Sequence, residues 1–205
     1  MPTYYNSERS PNCLKTKILL NELGIDYEQK DFQMSELGGP EFTDKFPNAK
    51  VPAIEYDGQV IAESGAIALY LTERHGGPVP MDPKARALMY QAMNFESALL
   101  APVIGGMGIF GELGKPEGER DMARVEKLMP EAQRIAHVLG TVLGDRDYFA
   151  GDFSIADIQI YAGTTKAIQY QVFNTPPQNL VDWNARMGER PTVKEAAQNY
   201  VGYRD

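Results

Sequence analysis

At 205 residues, 43% of them hydrophobic, the chain has enough apolar content to bury a sizeable core in one domain or two small ones. A net charge of −8, with 20 Lys and Arg scattered along the chain, argues against nucleic acid as a partner; one cysteine and two histidines rule out an internal disulfide and a structural zinc cluster. No run approaches the roughly 20 uninterrupted apolar residues of a membrane span, and the first residues lack a secretory signal's pattern, so the expectation is a cytoplasmic protein that neither enters a membrane nor holds a metal.

Thr3-Tyr4-Tyr5 is a short β-prone run. Leu14, Ile18 and Leu23 recur at helical spacing up to Gly24, a residue suited to the position just past a helix end. Ile25 to Phe32 alternates well enough for a second strand, and Pro40 to Phe46 has room for one irregular helical turn. Val51 to Tyr56 and Gln59 to Ala62 flank Asp57-Gly58, the strongest hairpin signal in the chain. Ser64 to His75 carries Ile67, Tyr70 and Leu71 on one face and stops at Gly76-Gly77-Pro78. The order β-α-β-α-β-β-α predicts an α/β domain over residues 1–76.

Residues 77–83, punctuated by proline, read as a linker. From 84 to 205 the strand signals disappear, and helices are expected over Lys84 to Ile104, Glu117 to Leu143, Ser154 to Phe173, Gln178 to Met187 and Thr192 to Tyr200. The best marked start is Phe153-Ser154-Ile155-Ala156-Asp157-Ile158, where Ser154 is placed to cap the N–H of Asp157 and Phe153 to staple onto Ile158. Gly106-x-Gly108-x-x-Gly111 fits the dinucleotide-binding fingerprint, but it follows a helical run, and Glu112-Leu113-Gly114-Lys115-Pro116 opens no helix. It reads as a helix break with a flexible lip, whose Met107, Ile109 and Phe110 pack on the core or line an apolar pocket.

Three short constellations carry chemistry. Ser7-Glu8-Arg9-Ser10-Pro11-Asn12-Cys13 lies between the first strand and the first helix, where unpaired N–H groups and the helix dipole stabilise an anion. Ser10-x-x-Cys13 has the Cys-x-x-Cys spacing of thioredoxin-like redox proteins with serine at the nucleophile's place, so an attacking thiol has to come from a ligand. The plainer role for Ser10 is a helix cap, and for Cys13 a packed core residue a turn further along. Lys50-Val51-Pro52-Ala53 opens the hairpin; a cis bond there would turn the Val51 backbone toward a peptide ligand, with Lys50 as carboxylate partner, against the commoner trans proline at a strand edge. Glu63-Ser64-Gly65 enters the third helix, where N–H groups and a hydroxyl suit a carboxylate and Glu63 an ammonium, unless it is simply a helix start. Glutathione presents a γ-glutamyl head group, a cysteinyl amide and a glycine carboxylate, one for each constellation.

Ser10-Pro11-Asn12-Cys13-x-Lys15, Asn48-Ala49-Lys50-Val51-Pro52-Ala53, Glu63-Ser64-Gly65-Ala66-Ile67-Ala68-Leu69-Tyr70-Leu71 and Phe153-Ser154-Ile155-Ala156-Asp157-Ile158 match, in order and spacing, markers of the cytosolic glutathione transferases, which the chain resembles over almost its whole length. The resemblance implies a thioredoxin-like α/β N-terminal domain followed by an all-α C-terminal domain. It implies that Ser10 activates the thiol of glutathione, the co-substrate, with Asn12 as a second contact, since Ser-Pro-Asn is similar to the Thr-Pro-Asn of bacterial Nu-class members. Lys50, Val51 and Pro52 would hold the peptide backbone and glycine end, and Glu63 with Ser64 the γ-glutamyl end. Tyr5, near where tyrosine-type members place their hydroxyl, is the rival thiol contact. Phe46-Pro47-Asn48-Ala49 departs from the family's frequent Asn-Pro-x-Gly, which bears on the loop's shape. The resemblance further implies a homodimer and a small, apolar electrophile as second substrate, in detoxification chemistry. Disulfide or peroxide reduction by the same thiol is the alternative activity, and a non-catalytic transferase-like binding module the alternative of another class.

Overall fold

The computed structural model describes residues 1–202, the side chain of Glu41 excepted. The N-terminal part runs β1 (Thr3–Asn6), α1 (Pro11–Glu22), β2 (Glu28–Asp31), α2 (Pro40–Thr43), β3 (Ala53–Tyr56), β4 (Gln59–Ala62) and α3 (Ser64–His75). Its sheet has the order β2-β1-β3-β4, with β1 and β2 parallel and the remaining pairs antiparallel. A parallel pair needs a crossover, which α1 supplies. In β1 both Tyr4 and Tyr5 are buried, so the strand is covered on both faces and shows no polar alternation. Tyr4 faces α1, its hydroxyl 2.7 Å from the carbonyl oxygen of Cys13. Tyr5 faces the other way, into the rings of Phe32, Phe42 and Phe46.

Local chemistry sets the turns. Gly24 sits at φ 60°, its N–H bonding Asn21 O and that of Ile25 bonding Leu20 O, which is the Schellman pattern. Ile25 is thereby committed to the end of α1, and β2 starts three residues later than the alternation suggested. Asp57 and Gly58 both take positive φ, 52° and 75°, as the two-residue turn between β3 and β4 requires.

The second half is helical throughout its regular elements: α4 (Pro83–Phe95), a π-helical turn Glu96–Leu100, α5 (Ala101–Ile104), α6 (Ile109–Leu113), a 3-10 turn Glu117–Glu119, α7 (Met122–Leu143), α8 (Ile155–Gln169) and α9 (Gln178–Gly188). The stretch Pro83–Leu113 is long and apolar enough, by length and composition, to cross a membrane. Half of that apolar window is buried, and α4 packs along α8.

Two expectations about the glycine-rich break are corrected. A short helix, α6, does open inside the fingerprint, at Ile109. The lip is also tied down: Glu112, with its side chain 4% exposed, takes Lys115 Nζ at 2.6 Å, Arg124 Nη1 of α7 at 2.7 Å and the Asp121 N–H at 3.2 Å. These contacts, led by the Lys115 hydrogen bond, hold its carboxyl down to about 2. A Cβ on Gly111 would lie 1.9 Å from Gly106 O, so the glycines serve close backbone packing. Ile109 and Phe110 are core residues, and Met107 is exposed.

By its internal contacts the chain divides into Met1–Gly77 together with Pro191–Gly202, and Pro78–Arg190. The segment from 191, grouped by its sequence with the helical half, forms α10 (Pro191–Ala197) and packs on α1. Val193 and Ala196, three apart on one face, are buried there, and Val201 N–H bonds Glu8 O.

Candidate active site

The sheet register brings the three constellations together. Tyr5 pairs with Ala53 and Ala53 with Ala62, so beyond those pairs Asn6-Ser7, Val51-Pro52 and Glu63-Ser64 leave the same end of three adjacent strands. The β1 exit leads through Ser7 to Ser10, which caps α1 with extended backbone (φ −92°, ψ 118°) and accepts the Cys13 N–H at 3.3 Å. Pro11 takes the first helical position, where a missing N–H costs nothing. The cap role of Ser10 is therefore real. It uses the oxygen as acceptor, and the hydroxyl's own hydrogen has no part in it.

Asn12 follows, half-buried, and its Oδ1 accepts from Lys15 Nζ at 2.7 Å. Cys13 does not lie a turn further along: it is the third residue of α1, inside the first turn. Burial, not distance from the helix start, disfavours its thiolate. The side chain is 1% exposed, and burial pushes the thiol up to about 11 despite the Ser10 and Ser7 hydrogen bonds that pull it down. Tyr5 is directed elsewhere. Its hydroxyl donates to Glu55 Oε2 (3.1 Å) and accepts from Lys45 Nζ (3.3 Å) on the face of the sheet opposite Tyr4 and Cys13. The structure does not bring it to Ser10.

On the β3 side the Val51–Pro52 peptide is cis, Val51 is buried and Lys50 is exposed. The ladder begins at Ala53, so the peptide groups of Val51 lie outside it. Ala49 adopts φ 53°, a left-handed conformation that glycine accommodates freely and alanine does not. An alanine there carries strain of about 1–2 kcal/mol, against the 0.4–1 kcal/mol by which it restricts the unfolded chain. Ala49→Gly is accordingly expected to raise stability by about 0.5–1 kcal/mol in urea denaturation; an unchanged or lower midpoint would refute that backbone assignment.

On the β4 side Glu63 holds φ 70° and ψ 117° immediately before α3, an uncommon conformation for a side chain of its size. Ser64 and the first-turn N–H groups of α3 follow. Asn48 joins the two loops: its Oδ1 accepts the Lys50 N–H (3.2 Å) and its Nδ2 donates to Glu63 Oε1 (3.0 Å). This role depends on the folded loops, and its one trace in the sequence is an Asn directly after a proline, a turn-forming pair. No group of three or more metal-ligating side chains occurs among the described residues.

Residues 2–73 match the family model of the glutathione S-transferase N-terminal domain. Over 95% of the chain and 97% of the relative, the sequence is 29% identical to glutathione S-transferase GstB of Escherichia coli. It is 28% identical to the disulfide-bond oxidoreductase YfcG of the same organism, over 91% of this chain and 90% of that one. A glutathione transferase family member from Pseudomonas fluorescens, solved with two glutathione bound, superposes with a TM-score of 0.83 at 27% identity, covering 96% of this chain and 92% of its own.

Residues 2–73 therefore carry a glutathione S-transferase N-terminal domain, and the chain as a whole is similar to members of that family. Its fold is that family's, a thioredoxin-like N-terminal domain with a four-stranded sheet followed by a mostly helical region. The helical region carries the family marker around Asp157 in an informative form. Ser154 and Asp157 form a capping box, and the buried carboxylate accepts from the N–H of Phe149 (3.0 Å), the N–H and hydroxyl of Ser154 (2.9 and 3.1 Å) and Trp183 Nε1 (3.0 Å). Burial raises its pKa and these donors lower it. Phe153 lies against Tyr148 and under the Arg190 guanidinium.

Proposed function

We propose that the chain binds glutathione at the shared end of β1, β3 and β4 and directs its thiolate at a small electrophile. The observation that carries this reading is the register that gathers a helix N-terminus, an unladdered peptide edge and a second helix start at one place. The donor set fits the tripeptide. Ser10, Asn12 and the α1 N-terminus suit a thiolate, the Val51 peptide groups and Lys50 suit the cysteinyl amide and glycine carboxylate, and Ser64 with Glu63 suits the γ-glutamyl carboxylate and ammonium. Bound glutathione in the similar Pseudomonas fluorescens structure supports it.

Calorimetry on the wild type, Glu63→Ala and Ser64→Ala tests the assignment. The head group's carboxylate and ammonium are separated from the sulfur by the γ-glutamyl chain, so both variants should bind glutathione several-fold more weakly and raise KM while kcat is kept. Wild-type affinity in both would move the site elsewhere.

The similarity to YfcG and the burial of Cys13 favour a second reading, disulfide exchange run by the ligand's sulfur. One glutathione thiolate attacks the substrate disulfide, forming a mixed disulfide and releasing one substrate thiolate. A second glutathione resolves it, leaving oxidised glutathione and the second substrate thiol. Cys13→Ala should retain this turnover. Stoichiometric glutathionylation of Cys13 in mass spectra, with turnover lost in Cys13→Ala, would place the reacting sulfur on the protein.

A further inference from the structure

Lys15 is the fifth residue of α1, just past its first turn, and is buried to 2% exposure. The helix dipole disfavours positive charge near an N-terminus, and a buried ammonium costs stability unless its hydrogens are used. Residues that break such local rules concentrate at functional sites. The contact Lys15 makes has a further consequence. An ammonium has three donors and no acceptor, so the Asn12 atom 2.7 Å from Nζ is necessarily the carbonyl oxygen Oδ1. With that oxygen held, the amide is fixed in one of its two orientations, and Nδ2 is the atom that Lys15 does not engage, on a half-buried residue two positions after the Ser10 cap.

We infer that Lys15 is a positioning residue: it locks the Asn12 amide so that Nδ2 donates to the sulfur of bound glutathione and Oδ1 never opposes it. The inference rests on the proposed function and names what sets the polarity of its thiol contact. An amide carbonyl turned toward a thiolate would repel it, whereas an N–H donor stabilises the charged form and lowers the thiol pKa. Free to flip, Asn12 would divide its time between the two.

The test is the pKa of protein-bound glutathione, read from thiolate absorbance at saturating ligand. Lys15→Met, which keeps the buried apolar stem, is expected to raise it by about one unit, a tenfold loss of thiolate at pH below the pKa, with calorimetric affinity for the protonated tripeptide little changed. Lys15→Arg, which keeps a donor, should recover most of the shift. In an Asn12→Ala background Lys15→Met should add nothing, because there is no amide left to orient. Bound glutathione with an unmoved pKa in Lys15→Met, or shifts that add in the double variant, would overturn the inference while leaving the proposed function standing. No binding by the wild type would sink both. Should Lys15→Met fail to fold, the 15N-labelled wild type still decides. The Asn12 side-chain NH2 signals should move on glutathione addition and follow the thiol's ionisation; signals indifferent to bound glutathione would refute the orientation.

Discussion

Replacing Asp157 by alanine is expected to destabilise the protein by about 3–5 kcal/mol. The carboxylate is fully buried and receives four donors: two backbone N–H groups, the Ser154 hydroxyl and the Trp183 indole N–H. Each buried donor left without an acceptor costs about 1–3 kcal/mol, with partial relief where water enters the space. The donors also come from separate parts of the second unit, the 148–151 turn, the start of α8 and the middle of α9, so one side chain joins three elements. Asp157→Asn keeps the shape but presents an N–H2 to at least one donor, and should fall between wild type and alanine. Urea denaturation monitored by Trp183 fluorescence measures both; a loss under about 1 kcal/mol for the alanine variant would show that the network does not carry the helical half.

Ser10→Ala is expected to act twice. Losing the hydroxyl donor to a charged sulfur removes about 1.5–3 kcal/mol of thiolate stabilisation, a rise of roughly 1–2 units in the pKa of bound glutathione. Losing the acceptor for the Cys13 N–H removes the helix cap and costs about 0.5–2 kcal/mol of folding stability. Ser10→Thr, which keeps both capabilities, separates the site from a general loss of structure by restoring both. Difference spectroscopy gives the first quantity and denaturant midpoints the second. An alanine variant with an unchanged thiol pKa would assign the activation to Asn12 and the helix N-terminus alone.

Much of the fold was legible because its signals are local. Asp57-Gly58 can close only one kind of two-residue hairpin, Gly24 ends α1 in the way its freedom at positive φ allows, and Ser154-x-x-Asp157 marks a helix start whatever lies around it. The candidate site was legible as three separate motifs, and strand register is what shows them to be neighbours. What escaped depends on partners distant in sequence or on which face a residue takes. Alternation does not say that Tyr5 points toward Phe42 and Glu55, because β1 is buried on both sides. Nothing in the run 192–200 announces that α10 belongs on α1, since its apolar face would suit any neighbouring helix. Lys15 was readable only as part of a motif. Its burial and its bond to Asn12 are properties of the folded helix.

The measurement closest to the central claim is the ultraviolet titration of the glutathione thiol on the wild-type protein, at glutathione and protein concentrations where calorimetry shows the site filled. The thiolate band is expected at least about one pH unit below that of the free tripeptide, because the helix N-terminus, the Ser10 hydroxyl and the Asn12 amide all favour the charged form. A bound thiol that titrates with the free tripeptide, or glutathione that does not bind, would contradict it.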